Sequence, residues 1–134
     1  MKLEMRQLGF FPMIFLVACG PDETISGQVD PADVFALTRF NGKSVGEEIT
    51  ITFPEEGKIA GQAPCNSYFA AQKAPLPWFE AGPIAATRRA CPALELETQY
   101  FDALGQMTLV ERTGDVLILS TEGADSLEFR RKTK

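Results

Sequence analysis

Ile49-Thr50-Ile51-Thr52-Phe53-Pro54-Glu55-Glu56-Gly57 is the stretch that decides the fold class. Its first five residues alternate apolar and threonine side chains, the two-residue period of a half-buried strand. Pro54 to Gly57 then reads as a turn, so Lys58 to Ala63 is expected to return antiparallel as a hairpin. Gly61 inside that return suggests a bulge or close packing. On the N-terminal side, Val34 to Phe40 is a further β-type run. Asn41-Gly42 follows it, and both residues tolerate positive φ in a tight turn. On the C-terminal side, Asn66 to Ala70 reads as a strand with Tyr68 and Phe69 on opposite faces. Gln72 to Pro83 carries Pro75, Pro77 and Pro83 and reads mostly as loop. A short strand is expected within Gly82 to Ala86.

One segment departs from this pattern. Pro92 suits the first turn of a helix, where a missing N–H is harmless. Glu95 and Glu97 complement the positive end of the helix dipole. Leu96, Tyr100, Ala103 and Leu104 recur at helical spacing, and Gly105 is expected to stop the helix. Met107 to Arg112, Val116 to Ser120 and Leu127 to Arg131 then read as strands joined by hairpin-like links, Thr113-Gly114-Asp115 and Glu122-Gly123-Ala124-Asp125. Val116 to Leu119 is apolar on both faces and is expected to be a central strand. The class is therefore mainly β with one inserted helix (α+β). An antiparallel meander forms a small barrel or a curled sheet, with closure favoured because it protects edges.

The 134 residues, 45% hydrophobic and 23% charged, suit a single small core. A net charge of −5 disfavours nucleic acid. The basic cluster Arg130, Arg131, Lys132 and Lys134 reads as a solubilising tail, with weak contact to anionic headgroups as the other reading. The absence of histidine removes the commonest general base and metal ligand.

The first eighteen residues read as an export signal. Lys2 and Arg6 form a positive start, and the apolar run from Leu8 to Ala18 is too short to span a bilayer. It ends in Leu16-Val17-Ala18-Cys19, which resembles the lipobox of bacterial lipoproteins. That resemblance implies cleavage before Cys19 and a diacylglycerol thioether on its thiol. Several acyl chains anchor stably where one is marginal. The expected organisation is a signal peptide at 1–18, a flexible tether at 19–32 and a domain at 33–134. The expected location is the cell envelope, facing the periplasm, with Gly20 after the cysteine favouring the outer over the inner membrane. With Cys19 lipidated, Cys65 and Cys91 remain as an even pair in an oxidising compartment, where a disulfide is expected. The alternatives are two buried thiols or a redox pair, the latter disfavoured by a spacing far from C-x-x-C.

Gly61-Gln62-Ala63-Pro64-Cys65-Asn66-Ser67-Tyr68 resembles the G-x-x-G-C-N-x-Y motif of META/HslJ-like domains. Thr87-Arg88-Arg89-Ala90-Cys91 resembles that family's T-x-x-A-C motif. Glu97, Phe101, Leu104 and the pair Val116–Leu119 and Leu127–Phe129 agree as well, so the similarity spans about residues 34–130. Phe35 stands where the family often has Trp, and Pro64 where it has Gly. The resemblance implies a small β fold with one helix, an envelope setting, links to stress and antibiotic tolerance, and no established enzyme activity.

Asn66 is expected either to bond turn backbone or to contact a ligand. Trp78 and Phe79 either plug the core or present an aromatic loop to a partner. Of Arg88 and Arg89, one is expected to face solvent and one to lie over Tyr or Trp, with an anion site as the other reading and Arg88 as a candidate partner contact. Glu95 and Glu97 are expected on a solvated face, since residues two apart on a helix do not meet. No catalytic residue, cofactor or metal is expected. The expected function is that of a non-enzymatic, lipid-anchored envelope protein, monomeric, with an unidentified protein partner allowed. The alternative is an inhibitor of a periplasmic or incoming hydrolase, a protease or lysozyme, acting through the Pro75–Pro83 loop.

Overall fold

A computed structural model describes residues 20–133, together with Gly9 and Pro12. Apart from those two positions, the expected signal peptide lies outside the described residues, as does the lipidation position Cys19. Along the described chain come β1 (Phe35–Phe40), β2 (Lys43–Ser44), β3 (Thr50–Ile51), β4 (Lys58–Gln62) and β5 (Ser67–Ala71). Then follow β6 (Ala85–Ala86), α1 (Leu94–Gln106), β7 (Leu109–Thr113), β8 (Val116–Ser120) and β9 (Ser126–Arg131).

All pairings are antiparallel and form two sheets, one in the order β2-β1-β9-β8-β7 and one in the order β4-β5-β6. β3 pairs with the N-terminal half of β1, through Phe35–Ile51 and Ala36–Thr50. β2 takes the C-terminal half, across the Asn41-Gly42 turn with φ of 49° and 79°. β8 lies between β7 and β9, as its two-faced apolar pattern requires. Of the two expected forms, the curled sheet is the one observed, and the favoured closure into a barrel does not occur. Among the described residues the only β-bridge between the sheets is Thr52–Ala60, and the result is a curled α+β sheet structure.

The edge problem that argued for closure is solved by a loop. Trp78 bridges to Leu109, Phe79 N donates to Thr108 O (2.8 Å) and Val110 N donates to Pro77 O (2.9 Å). The Pro-rich segment thereby covers the free edge of β7.

The core draws on every layer. Phe35, Leu37, Ile49, Ile51 and Phe53 meet Leu117, Leu119, Leu127 and Phe129. α1 adds Tyr100 and Leu104 from its buried face. Phe35 and Phe53 stand edge to face at 6.2 Å. α1 begins at Leu94, after a turn at Pro92-Ala93, and runs past Gly105 to Gln106. Gly105 is therefore helical rather than a stop, and the chain leaves through extended Met107, whose N–H reaches Leu104 O (3.4 Å).

The expected tether needs correction over part of its length. Ile25–Gln28 forms a 3-10 turn, and Ile25 and Val29 belong to the core. Asp22 sets this up by accepting from Thr24 N (2.9 Å), from the Thr24 hydroxyl (2.6 Å) and from the Ser26 hydroxyl. Glu23 O accepts from Leu76 N (2.8 Å), and the Arg112 guanidinium donates to Gln28 O. Two apolar side chains in an otherwise polar segment are enough to fasten it to the domain.

Candidate functional site

The two cysteine motifs meet in space. Cys65 and Cys91 are joined by a disulfide, with their Cα atoms 5.6 Å apart. Beside it Asn66 is buried, 5% exposed, with every polar atom of its amide engaged. Its Oδ1 accepts from the Thr87 hydroxyl (2.9 Å) and from Arg89 N (2.6 Å). Its Nδ2 donates to Arg89 O (3.0 Å) and to Glu97 Oε2 (2.7 Å). One side chain thus ties the turn before β5 to the strand-like run after β6 and to α1.

Glu97 completes the clamp. It was expected on a solvated face, yet it is 3% exposed, while Glu95 is exposed. Glu97 Oε1 accepts from Cys65 N (3.1 Å) and Asn66 N (2.8 Å). With Asn66 Nδ2, three donors meet one carboxylate, the arrangement a buried acid needs. The missed signal was positional: Glu97, Tyr100 and Leu104 follow the i, i+3, i+7 spacing of one helix face. Thr87 was likewise quoted in its motif and given no role.

A second polar cluster lies under β5. Tyr68 OH donates to Thr50 O (2.8 Å), so Tyr100 OH donates to Tyr68 OH (2.6 Å). Burial holds both phenols above their ordinary value. The bond from Tyr100 partly offsets this for Tyr68; the Tyr68 charge and hydrogen bond reinforce it for Tyr100. Gly61 faces the same carbonyl. A Cβ there would lie 2.0 Å from Thr50 O and 2.9 Å from Tyr68 OH, so only glycine fits. With Thr50 O occupied, Gln62 N donates instead to the Thr50 hydroxyl (3.0 Å). The expected β3–β4 hairpin is therefore reduced to one bridge.

A META domain model matches residues 31–134. The chain belongs to the META domain family. No curated protein matches it. Among solved structures, an NMR structure of a protein from Burkholderia xenovorans is similar at 23% identity and a TM-score of 0.61, covering 94% of this chain and 99% of that one. A second NMR structure is 26% identical with a TM-score of 0.62, covering 78% and 92%. A crystal structure of a DUF4847 family protein from Bacteroides vulgatus has a TM-score of 0.62 at 14% identity, covering 77% and 94%, a likeness of fold.

In this META domain the sequence-expected contact residues do not form one site. Asn66 is consumed inside the clamp, which leaves no amide group for a ligand. Phe79 is buried in the core, while Trp78 beside it is 52% exposed, as alternation along an extended segment dictates. Arg88 is exposed, and the cation–π contact observed is Arg112 over Phe35, 5.7 Å to the ring centroid. Part of the basic tail is neutralised: Arg131 meets Asp115 (2.6 Å) and Asp33 (3.6 Å), and Lys132 meets Glu48. Among the described residues, no group of three or more His, Cys, Asp or Glu side chains is placed to hold a metal, and no helix is long and apolar enough to cross a membrane.

Proposed function

We propose that this META domain is carried by a lipid-anchored protein of the bacterial envelope that serves stress or antibiotic tolerance without enzymatic chemistry. The observation that carries the reading is the Cys65–Cys91 bond. Disulfides persist in oxidising compartments, which an export signal at residues 1–18 makes accessible. Cys19, the third cysteine of the chain, is then the thiol that the Leu16-Val17-Ala18-Cys19 motif assigns to lipid. The non-enzymatic part is supported by the clamp. Asn66, Thr87 and Glu97, the polar groups that the motifs bring together, bond one another and leave no nucleophile beside a base.

Mass spectrometry of the mature N-terminal peptide tests the anchor, with Cys19→Ser as control. The expected result is an acylated Cys19 and release of the variant from membranes. An unmodified Cys19, or one bonded to Cys65 or Cys91, overturns it. Gene deletion followed by heat or antibiotic challenge tests the role, and unchanged survival in all conditions counts against it.

Inhibition of a hydrolase is the second reading. The exposed tip of the Pro75–Pro83 loop favours it, because such inhibitors insert a rigid loop into a cleft. Purified protein at micromolar concentration that leaves a panel of proteases and lysozymes active removes this reading.

A further inference from the structure

The Pro75–Trp78 turn is built as an apolar tip on a rigid base. Its four residues, Pro-Leu-Pro-Trp, are all exposed, Leu76 at 36% and Trp78 at 52%, and none carries a charge. Trp78 N donates to Pro75 O (2.9 Å) and closes the turn. Below it, Phe79 is in the core and Pro77 O is held by Val110 N. The buried Gln72 amide braces both flanks, accepting from Ala74 N (2.9 Å) and Glu80 N (3.1 Å). Phe69 and Leu94, the other large exposed apolar side chains among the described residues, stand singly on β5 and α1. Single residues of that kind need no explanation, whereas apolar residues grouped on one tip are the arrangement found at interaction sites.

The same turn is the part of the domain to which the N-terminal segment is fastened. Leu76 N donates to Glu23 O (2.8 Å), and Ile25, two residues on, is locked in the core. From Glu23 back to Cys19 is four residues, which span at most about 14 Å fully extended. The polar headgroup layer of one leaflet is itself roughly 5–8 Å deep. A lipid on Cys19 thus leaves the turn within reach of the interface and gives the domain little freedom to stand away.

We infer that the Pro75–Trp78 turn docks on the phospholipid surface into which the Cys19 lipid inserts, with Leu76 and Trp78 entering the interface. This rests on the lipid-anchor reading above. Tryptophan favours that depth because its ring is apolar and its indole N–H stays hydrated. Glu23 and Glu80 bracket the turn, both exposed, and keep the insertion shallow. A rigid tip loses little conformational entropy on entering, so a small apolar area suffices once the lipid holds the domain in place.

Trp78 is the only tryptophan of the chain, so its fluorescence reports this contact alone. The lipidated full chain is reconstituted into vesicles of phosphatidylethanolamine with a minority of phosphatidylglycerol, with and without brominated acyl chains. Relative to the Cys19→Ser chain in buffer, Trp78 emission should move to shorter wavelength and be quenched by the brominated lipid. Leu76→Asp should lose most of that quenching while the protein stays vesicle-bound, with circular dichroism confirming its fold. Acylated, vesicle-bound protein with water-like, unquenched Trp78 overturns the docking and leaves the anchor standing. Absence of an acyl group overturns both. A shift seen in native envelope membranes but not in pure lipid identifies a protein partner and overturns the lipid assignment.

Discussion

Glu97 is the residue on which the two cysteine motifs converge. Its carboxylate receives three N–H donors from Cys65 and Asn66. Glu97→Gln would turn one acceptor oxygen into a donor amide facing a donor. The expected cost is about 1–3 kcal/mol, read as a lower urea midpoint, and a wild-type midpoint would refute the clamp. The Tyr68–Tyr100 pair makes a different prediction. Both phenols are held above their ordinary value, so above about pH 10 the unfolded chain releases protons that the folded chain keeps. Their contribution is therefore complete below that pH and is lost as pH rises beyond it. These are the only two tyrosines of the chain. Tyrosinate absorbance should stay absent while the fold stands and appear in one step with unfolding. A gradual titration near the ordinary phenol value would contradict the burial.

Among the elements, two glycines that look alike in sequence should behave oppositely. Gly61→Ala places a Cβ against a backbone carbonyl that cannot retreat without moving β3, and should cost roughly 1–3 kcal/mol or more. Gly105 sits in the last turn of α1 with open space around it. Gly105→Ala should stabilise by up to about 1 kcal/mol. Thermal denaturation of both variants checks the pair, and equal effects would sink the distinction. Much at this scale was legible. β5 alternates as its Tyr68 and Phe69 demand, β8 is interior because both its faces are apolar, and the Asn41-Gly42 turn pairs Phe40 with Lys43. The β3–β4 hairpin was over-read. Alternation and a turn signal predicted its pairing, but Tyr68 OH claims the Thr50 carbonyl from outside the hairpin. Glu97 was misplaced because a charged residue was read by its polarity instead of its place on the helix face.

For the molecule as a unit, the boundary of the domain lies earlier than composition suggests. Gly, Pro, Ser and acidic residues made 19–32 look like a tether, yet Ile25 is 1% exposed. Ile25→Ala should destabilise by roughly 2–5 kcal/mol, measured by urea unfolding, whereas an alanine in a free tether would change nothing. The sheet also stays open where closure was expected. Edge protection was the right requirement, and a loop pinned by Phe79 met it at β7 without a further strand.

The residues by themselves determined the β-rich class, the single helix, the turns and the membership signalled by the two cysteine motifs. Period, turn chemistry and motif spacing are local properties, and a chain carries them whether or not it is folded. Only the tertiary structure decided that Asn66 is spent on Glu97, Thr87 and Arg89, that Trp78 stays out while Phe79 goes in, and that Ile25 and Val29 belong to the core. Those outcomes depend on which groups from distant segments satisfy one another's burial and hydrogen bonding in the folded chain, and no window along the chain contains both partners.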